Sequence, residues 1–346
     1  FGQVLQMAAA CGVLKVGGIT VAIDGTKMLA NASKHAAVSY QWSQERMKQL
    51  DAEVAQLIAK AEAADSTPLE DGLSIPEEIE RRQERKAQLA KARAEIEARA
   101  RQKAELEKAG YETKVGRRQE AKEQGKKPRG KEPQPPQETP EGKDQYNFTD
   151  PESRIMKAGH GNHFIQAYNA QAAVEIESRL IVGEYVTNAP NDKQQLVAGV
   201  ACVDPAAGAV SEALVDSGYL SEAGVKAVEA DTNGEATGTR VLAATGRQKH
   251  GRSVEALEKR ADPPAPGPGA TFMEEMEYRV NTKEGRTRYK ARQQTVEPVF
   301  GIIKEALGFR RFSMRGMAKA GLEWTLVCMA YNLKRLFTVT PQGAKA

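Results

Sequence analysis

The sequence is poor in aromatic residues, which make up 5% of its 346 positions. Proteins that hold single-stranded nucleic acid by base stacking need clustered aromatic side chains, so this composition argues against that class. Cysteine is also scarce, and Cys11, Cys202 and Cys328 lie far apart along the chain. An odd number at such spacing gives neither a disulfide framework nor a zinc site, and it favours a reducing compartment.

Neither a long apolar run nor a strong excess of one charge is present. No stretch is apolar enough to cross a membrane and no signal peptide is visible, so we expect no membrane association. The formal net charge is only +4, so a surface for nucleic acid would have to be a local basic patch. The chain opens with Phe1 in a helix-like stretch, from which we expect a fragment that lacks its N-terminal part.

Composition changes several times along the chain. A short apolar strand, Ile19 to Ile23, is followed by Asp24 and Gly25, which predicts that the strand ends there. Apolar residues at three- and four-residue steps then predict helices, and a stretch rich in Lys, Glu, Pro, Gln and Gly predicts disorder. We therefore expect the start of a core at 1–40, a helical hairpin at 41–110, a disordered linker at 111–145, the main core at 146–252, a Pro/Gly-rich loop at 253–275, and C-terminal core helices at 276–340.

The second half of the chain alternates strands and helices. Two strands joined by a short turn predict an antiparallel hairpin, and a further strand, Ala213 to Val215, ends at Asp216. A helix, another strand and the helix that begins near Glu297 follow. This order predicts an α/β fold with a mixed sheet flanked by helices, interrupted after its first strand by a long helical and partly disordered insertion.

Three acids fall at the ends of core elements, namely Asp24, Asp216 and Glu297. Two strand-end carboxylates and a third on a neighbouring helix could hold two divalent metal ions roughly 3.5–4 Å apart, an arrangement suited to phosphoryl transfer. Carboxylates favour Mg²⁺. Each acid alone is weak support, because Asp-Gly after a strand is commonly a turn and Glu near a helix start is favoured by the dipole.

Basic side chains accompany these acids. Lys304 lies two helical turns after Glu297, which predicts that both lie on one helix face near a bound phosphate. Arg310 and Arg311 follow the same helix, and Arg247 and Lys249 form a compact patch before it. Phosphate contact is one interpretation, since Arg and Lys dominate such contacts, and an ordinary solvated surface is the other.

Three stretches resemble a known family. "VAIDGTKMLANASKH", "ALVDSGYLSE" and "RYKARQQTVEPVFGIIKEALGFRRFSMRG" resemble the acidic blocks of bacterial insertion-sequence DDE transposases. The resemblance implies a ribonuclease-H-like catalytic core with Asp24, Asp216 and Glu297 as catalytic and metal-binding acids. It also implies a signature of DNA-contacting residues at Tyr289, Arg292 and Lys304, although the gap from Arg292 to Glu297 is one residue longer than usual.

The resemblance further implies an activity and its requirements. These are phosphodiester hydrolysis at transposon ends and strand transfer into target DNA, with Mg²⁺ or Mn²⁺ as cofactor, a homodimer in a synaptic complex, and a bacterial cytoplasmic location at the nucleoid. The sequence leaves two alternatives open: a ribonuclease-H-like nuclease without strand transfer, and an inactive DNA-binding remnant of a transposase.

Overall fold

The computed structural model describes residues 1–15, 17–64, 74–123, 125, 132–159, 163–231, 233–246 and 261–340. The chain divides into two compact units, one formed by Phe1–Ala32 with Glu152–Ala346 and the other by Ser33–Pro151. No helix of the described residues is long and apolar enough to span a membrane.

Helices and strands alternate irregularly from one end of the chain to the other. They are α1 (Gly2–Ala10), β1 (Gly17–Leu29), β2 (Ala37–Ser39), α2 (Tyr40–Ala64), α3 (Ile75–Glu123), β3 (Gln145–Asn147), β4 (Arg154–Ala158), β5 (His163–Glu175), β6 (Ile181–Thr187), α4 (Leu196–Ala201), β7 (Gly208–Val215), α5 (Glu222–Glu229), β8 (Arg240–Ala243), α6 (Phe272–Asn281), α7 (Lys283–Gln293), α8 (Val296–Gly301) with a π-helical segment (Ile302–Ala306), and α9 (Met317–Val339).

The first unit is built on a mixed sheet. Its strand order is β4-β5-β1-β7-β8, and β6 pairs with β5. β1 runs antiparallel to β5 and parallel to β7, and β7 runs parallel to β8. The predicted α/β class with a mixed sheet and flanking helices is confirmed, and the sheet is compatible with a ribonuclease-H-like fold. β4, at the edge of the sheet, was not expected from the sequence.

The prediction that the first strand ends at Asp24 is wrong. β1 continues to Leu29, and its ladder with β5 runs without a break from Val21↔Glu175 to Leu29↔Ala167. Asp24 therefore lies in mid-strand, opposite Ala172. A local turn signal such as Asp-Gly is overridden here because a long partner strand supplies the backbone hydrogen bonds.

Apolar side chains cover both faces of the sheet. Successive residues of a strand point to opposite faces, so Val21 and Ile23 join one core while Ala22 joins the other. The first core includes side chains of α1, α4 and α5, and the second includes Val299 of α8 and Trp324 of α9. Trp324 and Tyr331 are buried in this second core. Two-sided burial explains the apolar runs at residues 213–215 in β7 and 241–243 in β8.

The second unit contains the pair of helices α2 and α3 and the two-stranded sheet β2–β3. Ion pairs join the helices, from Arg82 to Glu53 and from Lys86 to Asp51. α3 continues to Glu123, whereas disorder was expected from residue 111. Its Ala, Glu, Lys and Arg residues are strong helix formers, which explains the continuation. Of the rest of the expected linker, residues 132–144 form neither helix nor strand, and 124 and 126–131 lie outside the described residues.

One buried amide fastens α9 to the sheet. Asn332 is fully buried, its Oδ1 accepts a hydrogen bond from the Ile181 backbone N–H at 2.9 Å, and its Nδ2 donates to the Ile181 carbonyl at 2.7 Å. The side chain thus satisfies both polar groups of one β6 residue, which holds the helix that covers the second core.

We expect Asn332→Leu to lower the free energy of unfolding by about 2–4 kcal/mol, because both backbone groups of Ile181 lose a buried partner. Urea denaturation followed by circular dichroism measures the change. Lys334→Leu, at an exposed position of the same helix, serves as the control and should change stability by less than about 0.5 kcal/mol. Equal effects of the two variants would contradict the anchoring role of Asn332.

Candidate active site

Asp24 and Asp216 come together because their strands are parallel neighbours. The ladder between β1 and β7 ends at Ala22↔Leu214, so both acids stand two residues beyond the last pair of partners. Ala22 and Leu214 belong to the core that α8 and α9 cover. Since side chains repeat their direction every second residue, Asp24 and Asp216 face the same side of the sheet.

Each carboxylate is held in the same manner. Asp24 Oδ1 accepts a hydrogen bond from the Gly25 N–H at 2.8 Å, and Asp216 Oδ1 accepts one from the Gly218 N–H at 2.7 Å. Both Oδ2 atoms turn to a single cation: Arg292 Nη2 lies 2.9 Å from Asp24 Oδ2 and 4.0 Å from Asp216 Oδ2. The two acids therefore converge on one guanidinium group.

Arg292 is unusually enclosed for a charged residue. It lies near the end of α7 and is only 5% exposed. Its Nε is buried and has no hydrogen-bond partner among the residues that the structure describes. A buried cation is stabilised only if it is paired, so the acid pair is what allows Arg292 to occupy this position.

The surroundings of the acid pair shift the pKa of Asp24. Burial raises the pKa of Asp24 to about 6, and the nearby carboxylates of Asp216 and Asp192 act in the same direction, while Arg292 and the Gly25 N–H oppose the shift. The raised pKa of Asp24 therefore results from desolvation and from nearby like charges. Such shifts are typical of functional sites.

Glu297 stands apart from this pair. It lies in the first turn of α8 and is exposed. Among the described residues, no three or more His, Cys, Asp or Glu side chains are grouped so that they could hold a metal ion. Glu297 is connected to the site mainly by its position in the sequence, five residues after Arg292. Its role as a third ligand remains a prediction.

Lys304 contacts β1 rather than extending along a regular helix. The segment Ile302–Ala306 is π-helical, so the expected stacking of Glu297 and Lys304 by two α-helical turns does not describe the backbone. Lys304 Nζ donates to Thr26 Oγ1 at 2.5 Å, and burial lowers the pKa of the ammonium group. Thr26 follows Asp24 by two positions, so Lys304 reaches the strand face that carries the acid.

Tyr289 lies near the acid pair as well. Tyr289 packs partly against the second core. Burial is the main cause of the raised pKa of its hydroxyl, and the carboxylates of Asp216 and Asp24 also raise it.

The basic segment after the π-helix runs beside the far half of β1. The Leu29 N–H donates to the Arg310 carbonyl, and the Phe312 N–H donates to the Leu29 carbonyl. These two hydrogen bonds join the basic segment to the C-terminal end of β1. The Arg310 side chain pairs with Glu305, and Arg311 is exposed. Arg247 and Lys249 lie outside the described residues, so their predicted contacts are not placed.

The donor set of the acid pair suits a hard divalent cation. Asp24 and Asp216 offer two carboxylate oxygens on adjacent strands with no sulfur or imidazole nearby among the described residues, and Mg²⁺ prefers such oxygen ligands together with water.

Sequence reasoning missed Thr26 because it placed a turn at Gly25. Extending the period-two pattern past Asp24 would have indicated it.

We expect Arg292→Met to destabilise the metal-free protein by about 3 kcal/mol at pH 8, because the charged and buried Asp24 loses its partner. The folded-state pKa of Asp24, about 6, lies above the ordinary value of 3.8. The ion pair therefore stabilises fully only above about pH 6, and its contribution fades as the pH falls and Asp24 takes up a proton.

Urea denaturation at pH 8 and pH 5 in the presence of a chelator measures this difference. Lys290→Met, at an exposed position of the same helix, is the control and should be nearly neutral at both pH values. A loss of stability that is the same at pH 5 and pH 8 would argue against the pairing of Arg292 with Asp24.

A comparison with protein families connects this geometry to a known class. Residues 269–337 match the family model described as transposase DDE domain. The matched segment includes Tyr289, Arg292, Glu297 and Lys304, whereas Asp24 and Asp216 lie outside it. No curated protein and no solved structure matches the chain. The C-terminal segment that carries Arg292 is therefore similar to the DDE domain of transposases.

Proposed function

We propose that this protein is a DDE transposase that cleaves phosphodiester bonds at transposon ends and joins the freed 3′-hydroxyl groups to target DNA in a metal-dependent reaction. The observation that carries the proposal is the convergence of Asp24 and Asp216 on Arg292, which brings acids from distant parts of the chain to one point. The family match over residues 269–337 supports DNA as the partner.

Asp24 and Asp216 are the residues that would hold Mg²⁺ or Mn²⁺, with Glu297 as a third carboxylate. When bound, the cation supplies positive charge and orientation for in-line attack on a phosphodiester. The chain contributes a fixed pair of oxygens, since the Gly25 and Gly218 N–H groups hold the Oδ1 atoms and leave the Oδ2 atoms directed inward.

Arg292 acts as the internal counter-ion of this site. Its guanidinium neutralises part of the repulsion between the desolvated Asp24 carboxylate and the partly exposed Asp216 carboxylate, which would otherwise oppose their approach. Asp24 and Asp216, whose Oδ2 atoms face Arg292, would hold the cation, which would supply positive charge there. Arg292 would add a cationic group beside the bound DNA, in keeping with its position in the transposase signature.

Lys304, Tyr289, Arg310 and Arg311 would contact the DNA backbone around the acids. Lys304 is held at Thr26 on the strand face that carries Asp24, so its ammonium group is directed toward the site. Arg311 is exposed next to the far half of β1. Pairing of two protomers in a synaptic complex, and contacts from Arg247 and Lys249, remain predictions of the family resemblance.

We expect Asp24→Asn, Asp216→Asn and Glu297→Gln each to reduce Mg²⁺-dependent DNA cleavage on the order of 10²–10³-fold, because each removes a charged oxygen ligand. Nicking of a plasmid that carries the transposon ends measures the first step. A substrate with a pre-cleaved 3′-hydroxyl measures strand transfer separately.

Asp51→Asn and Glu275→Gln are matched controls, since both residues are exposed and lie away from the acid pair in sequence. The controls should retain wild-type rates. Cleavage without strand transfer would indicate a nuclease, and equal rates in the wild type and in all three site variants would refute the catalytic proposal.

We expect Lys304→Met to weaken DNA binding and to reduce the slope of log K against log salt by about 1, because one phosphate contact is lost. Fluorescence anisotropy at several salt concentrations measures this slope. Lys226→Met, in which an exposed lysine paired with Glu222 is removed, should leave the slope unchanged. An unaltered slope for Lys304→Met would exclude a phosphate contact by this residue.

A further inference from the structure

A network of buried polar side chains lies on the opposite side of β1 from the Asp24 carboxylate. Gln171 is fully buried, and its Nε2 donates to Asp192 Oδ1 at 2.7 Å. Asn169 Nδ2 donates to the same oxygen at 2.7 Å. The Tyr219 hydroxyl donates to Gln171 Oε1. One carboxylate thus orients two amides, and one of these amides orients a tyrosine.

This network packs directly against the residue that follows Asp24. Gly25 pairs with Gln171 across the ladder between β1 and β5. A Cβ atom at Gly25 would lie 2.1 Å from Gln171 Nε2, 2.6 Å from Asn169 Oδ1 and 2.9 Å from Asp192 Oδ1. A side chain at position 25 would displace these polar groups, so the backbone that carries Asp24 lies directly against the amide groups of the network.

The other end of the network reaches the segment that carries Asp216. Tyr219 is fully buried and its backbone N–H donates to the Asp216 carbonyl at 3.2 Å, which closes the turn after β7. Its hydroxyl extends from this turn to Gln171. Gln171 therefore contacts both parts of the site. On one side it lies against the backbone of Gly25, next to Asp24, and on the other it is bonded to Tyr219, in the turn after Asp216.

Asp192 anchors the arrangement from the loop before α4. α4 begins at Leu196 with Gln195 as its N-cap, so Asp192 precedes the helix by several residues. The Asp192 side chain accepts hydrogen bonds from Asn169 and Gln171 instead of from the first turn of the helix. A buried amide whose hydrogen bonds are all specified has one orientation, and it fixes its neighbours to the same extent.

We propose that Asp192, Gln171 and Tyr219 form a positioning network that sets the separation of the Asp24 and Asp216 carboxylates. None of the three touches the reacting atoms in this arrangement. They act through the backbone of Gly25 and through the turn after Asp216, as outer partners of ligands do in other metal sites. This inference rests on the proposed function, because it assigns the network a purpose only if the two acids bind a cation.

Tyr219→Phe in the full chain is the sharpest test, because it removes one hydroxyl and leaves the ring in place. Tyr185→Phe is the matched control, since the Tyr185 hydroxyl is bonded to Gln195 and not to Gln171. The probe is Mn²⁺ alone, with its affinity measured by isothermal titration calorimetry. Thermal denaturation of the metal-free proteins is measured in parallel.

We expect Tyr219→Phe to weaken Mn²⁺ binding about 10-fold, within the range found for outer partners of metal ligands, while Tyr185→Phe binds Mn²⁺ like the wild type. If the two variants lose similar thermal stability but only Tyr219→Phe loses affinity, the effect is one of positioning. Equal Mn²⁺ affinities in Tyr219→Phe and Tyr185→Phe would overturn the proposal.

Substitutions of Asp192 separate positioning from a long-range effect of its charge. Asp192→Asn keeps an Oδ1 atom that can accept from both amides, so we expect its Mn²⁺ affinity to stay within about 3-fold of the wild type, whereas Asp192→Ala should fall about 10-fold. Equal losses in both variants would favour a charge effect and contradict the network. Absence of Mn²⁺ binding in the wild type itself would instead refute the proposed metal site.

Discussion

The candidate site depends on one electrostatic constraint: the buried Arg292 guanidinium faces two carboxylates, that of the largely buried Asp24 and that of the more exposed Asp216. Asp24 is desolvated enough that its pKa rises to about 6, and Arg292 is the cation that makes its charged form tolerable. Neither group would be stable there alone. The interaction also joins the chain across 268 positions, and so it links the first strand of the sheet to the C-terminal helices.

The sheet makes this meeting possible before any side chain contributes. In two neighbouring parallel strands, paired residues lie beside each other along the strand direction. Asp24 and Asp216 each follow the last pair of partners on β1 and β7 by two residues, and so they lie side by side. The extension of β1 to Leu29 then gives Lys304 a contact at Thr26, two residues from Asp24, and joins the basic segment at Arg310 to the end of the strand at Leu29. On the opposite face, the glycine at position 25 lets a polar network lie directly under the strand. Three successive residues of β1 thus have three different tasks. Asp24 supplies the carboxylate, Gly25 lies against the polar network, and Thr26 contacts Lys304.

The sequence alone predicted the features that depend on local patterns. The alternation of strands and helices indicated the mixed α/β sheet, and an apolar run ending in Asp216 indicated the second acid at a strand end. Asp24 was identified but misplaced, because the Asp-Gly signal is local while the pairing that overrides it comes from β5, which lies more than a hundred residues later. The burial of Arg292 and the contact of Lys304 with Thr26 could not be predicted for the same reason, since their partners lie 268 and 278 positions away. The π-helical segment around Lys304 has no simple sequence signal.

The central claim is that the Asp24 and Asp216 oxygens now facing Arg292 are the ligands of a divalent cation. The most direct measurement is a crystal structure of the protein with Mn²⁺, with the ion located by its anomalous scattering. We predict a peak within about 2.3 Å of Asp24 Oδ2 and Asp216 Oδ2, with Glu297 drawn toward it and the Arg292 guanidinium moved off Asp24. A structure in which Mn²⁺ occupies another position while Arg292 still pairs with Asp24 would contradict the claim.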